Sequence, residues 1–192
     1  MTEREKLMED IRNYVPFNEQ EEKDKEVILS HLLSDDNIFT RDNHLAHMTA
    51  SAWVIDEEKE HVLLCYHRIY DSWSWLGGHA DGEEDLLSVA IREVKEESSL
   101  SDIRPYDRKI LSLEVLTVDG HEKRGEYVSS HLHLNVTYLL VGNSKEQPKS
   151  KPDENAGVRW FTTDNALKAS TEPWFVKRIY SKLVEKVKKL SF

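Results

Sequence analysis

Residues 85–98, DLLSVAIREVKEES, restrict the fold more than any other segment of the chain. On a helical wheel of about 100° per residue, Leu86, Leu87, Ala90, Ile91 and Val94 fill an arc roughly 140° wide, which reads as one buried helical face. The flanking segments have a different character. Residues 49–55 and 62–66 before the helix, and 110–118 and 127–141 after it, are strand-like, with DEEKEH and DGHEKRG between the members of each pair as hairpin loops. A further short strand is expected at 158–161, after the polar, proline-containing loop NSKEQPKSKPDEN. One helix set among strands of this kind predicts a single mixed α/β domain.

Both ends of the chain read as helical. Leu7, Met8, Ile11, Tyr14 and Val15 recur at helical spacing until Pro16 stops the pattern. Asn18 followed by Glu21 has the spacing of a capping box, and Val27, Ile28, Leu29, Leu32 and Leu33 give the next helix an apolar face. After Pro173, the residues Trp174, Phe175, Ile179, Leu183, Val184 and Val187 line one face of a C-terminal helix. The expected division is a helical N-terminal extension over 1–44, a central domain over 45–165, and a C-terminal helix within 166–192 packed on that domain. The net charge of -10 argues against a nucleic-acid polymer as partner. Cys65 is the only cysteine, so no internal disulfide forms and a reducing cytoplasm is the expected location. The acidic, amphipathic N-terminal stretch lacks the apolar run of a signal peptide or membrane span, so a soluble, unprocessed chain is expected.

The helix at 85–98 also carries the chemistry. Glu93, Glu96 and Glu97 occupy an arc about 100° wide that adjoins the apolar stripe, at the edge of the core. Carboxylates three and four residues apart repel by about 0.2–0.5 kcal/mol per pair, and partial burial adds to that cost. One reading is a solvated charged face shared with Arg92 and Lys95. The other is a site for a hard divalent cation such as Mg2+, which prefers carboxylate oxygens and keeps positions for water and phosphate oxygens.

Spacing favours the second reading. Gly78, five residues, Glu84, seven residues, and then Arg92-Glu93-Val94-Lys95-Glu96-Glu97-Ser98-Ser99-Leu100 resemble the Nudix box, G-x5-E-x7-R-E-U-x-E-E-x-G-U with U an apolar residue. All defined positions match except one. Ser99 stands where the box has glycine, at a helix exit that commonly needs a left-handed residue, so altered or strained exit geometry is expected there. The resemblance covers roughly residues 45–165. It implies an α/β/α sandwich with a mixed β-sheet, with the box forming a loop, helix and loop beside the sheet.

The resemblance also implies a hydrolase that cleaves a diphosphate linkage in a nucleoside diphosphate derivative or related organic diphosphate. Mg2+ is the implied cofactor, with Mn2+ as a substitute. Carried over by position, Glu96 and Glu97 are metal ligands, the Gly78 carbonyl is a further ligand, and Glu93 is a ligand or the general base. Arg92 would orient a box carboxylate. Glu84 has either a role in the site or, at capping-box spacing from Asp81, a role in tying down the helix start. Glu154, six residues before Trp160, stands where some Nudix enzymes supply another carboxylate and is either catalytic or metal-binding, or an ordinary loop acid.

Outside the box, His131, His133, Asn135 and Thr137 alternate with Leu132, Leu134, Val136 and Tyr138, giving one polar and one apolar strand face. The polar face lines either a substrate cleft or a solvent surface, and two histidines at this spacing are weak evidence for a separate transition-metal site. His67, Trp73 and His79 are the other substrate-binding candidates, since rings near the box can stack on a flat group; Trp75 fits a core position better. A sensor that binds without hydrolysis, and isomerisation of an isoprenoid diphosphate, are the rival readings. The terminal helices offer apolar surface for a homodimer.

Overall fold

The computed structural model describes residues 1–68, 71–123, 125–151 and 155–190. Two helices lead the chain, α1 (Glu3–Asn13) and α2 (Glu19–Ser34). Thr2 caps α1 in a full capping box, and the Asn18 side chain accepts the Glu21 N–H at the start of α2. The Glu21 carboxylate accepts instead from the Phe17 N–H at 2.7 Å, one residue before the cap.

Four strands follow: β1 (Ala46–Asp56), β2 (His61–His67), β3 (Ser72–Ser74) and β4 (Leu76–His79). Helix α3 (Leu86–Ser98) then leads to β5 (Ile103–Val118), β6 (His121–Lys123), β7 (Glu126–Val128), β8 (His131–Gly142) and β9 (Val158–Thr162). The chain closes with α4 (Thr163–Ala169), α5 (Pro173–Phe175), a π-helical turn (Val176–Tyr180) and α6 (Ser181–Lys188). Among the described residues, no helix is long and apolar enough to cross a membrane.

The main sheet runs in the order β3-β2-β1-β8-β5, with β4 also paired to β1 and β9 to β2. β1 and β8 are parallel and the other pairs are antiparallel, so the sheet is mixed as expected. β2 and β4 share one edge of β1: Val54 and Ile55 face β2, whereas residues 49–52 face β4.

Alternation then divides the core. Ala46, Met48, Ala50, Ala52 and Val54 pack with Leu86, Leu87, Ala90 and Val94 of α3 and with Ile11, Ile28 and Leu32 of the N-terminal helices. Trp53, Ile55, Leu139 and Val141 point the other way and meet Ile179, Tyr180, Leu183 and Val187 of the C-terminal helix. The sheet thus lies between helical layers. Removing one large apolar side chain from such a core, as in Leu87→Ala, costs about 2–5 kcal/mol.

β5 is an edge strand, and α2 covers it. Asp24 accepts the Val115 N–H at 2.9 Å and Gln20 donates to the Leu113 carbonyl at 3.0 Å, so backbone groups open to another strand are occupied. Behind this seam, Glu21 and Glu114 are fully buried, with Lys182 at 3.0 and 3.2 Å from them and Lys186 2.5 Å from Glu21. Burial pushes the Glu21 carboxyl up, but Lys182 and Lys186 more than offset this and hold it down at about 2.

Two expectations are corrected. Residues 127–141 are not one strand: β6 and β7 pair within the predicted hairpin, and β8 starts only at His131. The C-terminal helix is not a uniform α-helix: it contains a π turn in which the Ser181 N–H bonds the Val176 carbonyl five residues back, and the Ser181 hydroxyl donates to the same carbonyl at 2.7 Å.

Candidate active site

The site is built where β4 meets α3. β4 pairs with β1 so that Gly78 lies opposite Ala50 and His79 opposite Thr49. Asp81 and Gly82 then take left-handed backbone angles, φ 49° and 94°, and turn the chain into α3. The Arg41 guanidinium braces this loop with two bonds to the Asp81 carboxylate at 2.7 and 2.6 Å. Asp85, rather than a helical residue as predicted, is the N-cap of α3, accepting the Ser88 N–H at 3.3 Å.

Glu84 reaches back to the N-terminal helix rather than to the start of α3. Its carboxylate accepts the Arg4 N–H of α1 at 3.1 Å, which ties the N-terminal helix to the box loop. At the other end, Ser99 adopts φ 58° and ψ 15° and donates its N–H to Lys95. The left-handed exit is therefore kept with serine, at a cost of about 1–2 kcal/mol. The buried Asn155 side chain donates to the Glu97 carbonyl at 3.0 Å, and the Lys149 N–H donates to the Ser98 carbonyl at 2.8 Å. These bonds satisfy carbonyls that the helix end leaves open.

The three predicted carboxylates sit together along this helix. Glu93 lies directly over Gly78: a Cβ on residue 78 would come within 2.5 Å of Glu93 Oε2, so only glycine leaves room for the carboxylate there. Glu97 is buried and accepts the Gly77 N–H at 3.1 Å, while its other oxygen lies 4.0 Å from the Cys65 sulfur. Burial first and Glu97 second push the Cys65 thiol up, which leaves it protonated and a poor nucleophile. Glu96 is more exposed, 3.8 Å from Lys151 and 3.9 Å from Arg92.

Arg92 donates to Glu93 at 2.9 Å, and that bond pushes the guanidinium up. The set comprises hard oxygen donors on one helix beside a glycine backbone, which fits Mg2+ and fits soft metals poorly. Glu154 lies outside the described residues.

The substrate-binding candidates fall into two groups. His79, on the face of β4 opposite Gly78, meets His133 and His47, with ring centroids 4.8 and 5.2 Å away; His131 lies 5.1 Å from His133. Burial, followed by the neighbouring imidazoles, holds His133 down at about 2, and burial lowers His47 as well, which favours the neutral form of these two rings.

Trp73 belongs elsewhere. It packs edge-on against Tyr66 and Phe161, with the Arg159 guanidinium 4.7 Å from its ring centre. His67 is half-buried at the end of β2, paired with Ser72, and burial lowers it too. Trp75 packs against Tyr180 and Phe175, as a core residue would.

Sequence reasoning missed His47, Asn155 and the Arg41–Asp81 brace. His47 is brought to His133 by parallel pairing of β1 with β8, a non-local contact. Its only local signal is the alternation of His47, Thr49 and Ser51 along β1, and the predicted strand began too late to include it. Below the imidazoles, Thr49 and Ser51 both donate to Asn135 Oδ1 at 2.9 Å, and Asn135 donates to Glu114, so the polar face of β8 is substantially covered.

Comparison with known proteins agrees with this fold. The model of the NUDIX domain matches residues 45–183. Among solved structures, a Nudix hydrolase from M. smegmatis, RenU, aligns with TM-score 0.54 at 15% identity, covering 76% of this chain and 88% of its own. The MutT protein from Methanosarcina mazei Go1 aligns with TM-score 0.52 at 19% identity, covering 76% and 97%. A C. elegans Ap4A hydrolase aligns with TM-score 0.51 at 19% identity, covering 73% and 94%. No curated protein matches the chain.

Proposed function

This chain belongs to the Nudix hydrolase family, and we propose that it hydrolyses the diphosphate linkage of a nucleoside diphosphate derivative or related organic diphosphate with Mg2+, or with Mn2+ in its place. The observation that carries this reading is the Glu93 carboxylate seated on Gly78, on the same helix as Glu96 and Glu97. Glu93, Glu96, Glu97 and the Gly78 carbonyl are the proposed holders of the cation. When bound, the cation would neutralise charge on the diphosphate oxygens and make a nearby water more acidic.

The chain's own groups do the rest. Arg92 fixes the direction of Glu93, which is proposed to take the proton of a water attacking phosphorus in line as a phosphate monoester departs. The Gly77 N–H holds Glu97 against β4, so the carboxylates keep their mutual arrangement without substrate. Buried Cys65 takes no part, and no covalent intermediate is needed. The sheet end that carries His79, His131 and His133 is the proposed region for the organic part of the substrate, with His67 and Trp73 at the β2–β3 hairpin as outlying contacts.

The test is product release from nucleoside diphosphate sugars, dinucleoside polyphosphates and nucleoside triphosphates, in Mg2+ and then in EDTA. Metal-dependent phosphate monoester release from one class supports the reading. Tight binding of one compound without cleavage, in Mg2+ and in Mn2+, would replace it with a sensor.

A further inference from the structure

We propose that His47, His79 and His133 form a second metal site, distinct from the box carboxylates, that takes an imidazole-preferring transition metal such as Zn2+. Three strands supply the ligands. His47 of β1 is opposite His133 of the parallel β8, and His79 of β4 is opposite Thr49, two residues along β1. All three therefore project from the same face of the sheet. One ligand nitrogen from each lies within 4.8 Å of the others. The rings are inclined to one another at 39°, 50° and 86°, so they converge rather than stack.

His47 supplies the decisive detail. Its Nδ1 is 3.1 Å from the Asn43 carbonyl, and a carbonyl can only accept, so Nδ1 carries the proton. The neutral ring then has a lone pair on Nε2. That atom is buried and has no hydrogen-bond partner among the described residues, on a side chain that is itself 4% exposed. Leaving a buried acceptor unpaired is destabilising, and a metal would supply the missing partner. A carbonyl-fixed tautomer with the opposite nitrogen aimed into a cluster is how metal-binding imidazoles are usually oriented.

His131 repeats the pattern beside it. Its Nδ1 faces the Ser129 carbonyl at 2.9 Å, and its Nε2 lies 3.2 Å from His133 Nε2. Two nitrogens bound to one tetrahedral Zn2+ at about 2.0–2.1 Å lie roughly 3.3–3.4 Å apart. His131 thus flanks the fourth position. The wider spacing within the trio closes by ring rotation, which is soft for imidazole.

Ligand chemistry separates the two sites. The box offers oxygens, which suit Mg2+; the trio offers only imidazole nitrogens, which Mg2+ binds poorly and Zn2+, Co2+ or Ni2+ bind well. His79 is the residue after Gly78 and projects from the opposite face of β4. A substrate held at the box and extending across this strand end would meet the second metal's open position.

The test titrates chelator-treated, full-length protein with Co2+ in excess Mg2+, reading the visible bands of nitrogen-bound Co2+, followed by displacement with Zn2+. One equivalent should bind. His79→Ala and His133→Ala should each weaken binding by more than about 100-fold, since losing even a group that only orients a metal ligand costs about 10–100-fold. Glu97→Gln should bind Co2+ as the unmodified protein does while losing hydrolysis, so the two proposals fail separately.

Ring-nitrogen NMR of the unmodified protein provides a readout that needs no substitution: Zn2+ should shift His47, His79 and His133. Folded protein that takes up no Co2+, binding indifferent to His79 and His133, or binding lost in Glu97→Gln would each overturn the assignment.

Discussion

Two groups of glutamates in this molecule have opposite surroundings. Glu21 and Glu114 lie in the layer between the sheet and the C-terminal helix, where Lys182 and Lys186 reach them from α6. Glu93, Glu96 and Glu97 lie at the sheet's other face, where Arg92 and Lys151 approach from the surface and backbone N–H and glycine positions shape the space. The first group is neutralised by the chain that carries it. The second is a concentration of negative charge on one helix, arranged so that an external cation completes it. The difference teaches that burial alone does not mark a working carboxylate: the more deeply buried pair is architectural.

The largest expected effect falls on the architectural group. Lys182→Met leaves Glu21 and Glu114 short of a buried partner and should cost about 3–5 kcal/mol in denaturant unfolding. An unchanged midpoint would break the distinction drawn here.

Glu97→Gln should do the reverse. It should lower kcat/KM by about 100-fold or more, or about 2.7 kcal/mol, with little change in melting temperature, because glutamine still accepts the Gly77 N–H.

Acid should also weaken the first group. Glu21 is held at about 2 in the folded protein against an ordinary 4.5. Its contribution is therefore complete above about pH 4.5 and is lost as pH falls through that window toward 2. Melting temperature measured across the window should drop, and drop less steeply in Lys182→Met.

The smallest effect is at the helix exit. Ser99→Gly removes left-handed strain but gives the unfolded chain more freedom, so a net gain of about 0.5–1 kcal/mol is expected by thermal or chemical unfolding.

What the sequence revealed of this arrangement follows the range of the signals involved. α3 was legible because its apolar period and its carboxylate spacing are both local, and the structure places its start within one residue of expectation. The terminal helices were legible for the same reason, down to the Asn18 cap. β3 and β4 were not. They are three and four residues long, and β4 contains two glycines whose extended conformation comes from pairing with β1 rather than from their own propensity.

His47 was hidden for a related reason: nothing near it in the sequence indicates His133, and only the parallel register joins them. The lysines that neutralise Glu21 are equally remote, more than 150 residues along the chain. Spacing within one element thus exposed the box, whereas the groups that support or extend it depend on which strands and helices meet.

The measurement that tests the account most directly is phosphate monoester release by the unmodified protein and by Glu97→Gln, across a panel of nucleoside diphosphate derivatives, with Mg2+ and with EDTA. The account predicts cleavage of one class by the unmodified protein in Mg2+, abolished by EDTA and reduced about 100-fold or more by the substitution. Folded, Mg2+-loaded protein that cleaves none of the panel, or a Glu97→Gln variant that cleaves as well as the unmodified protein, would contradict it.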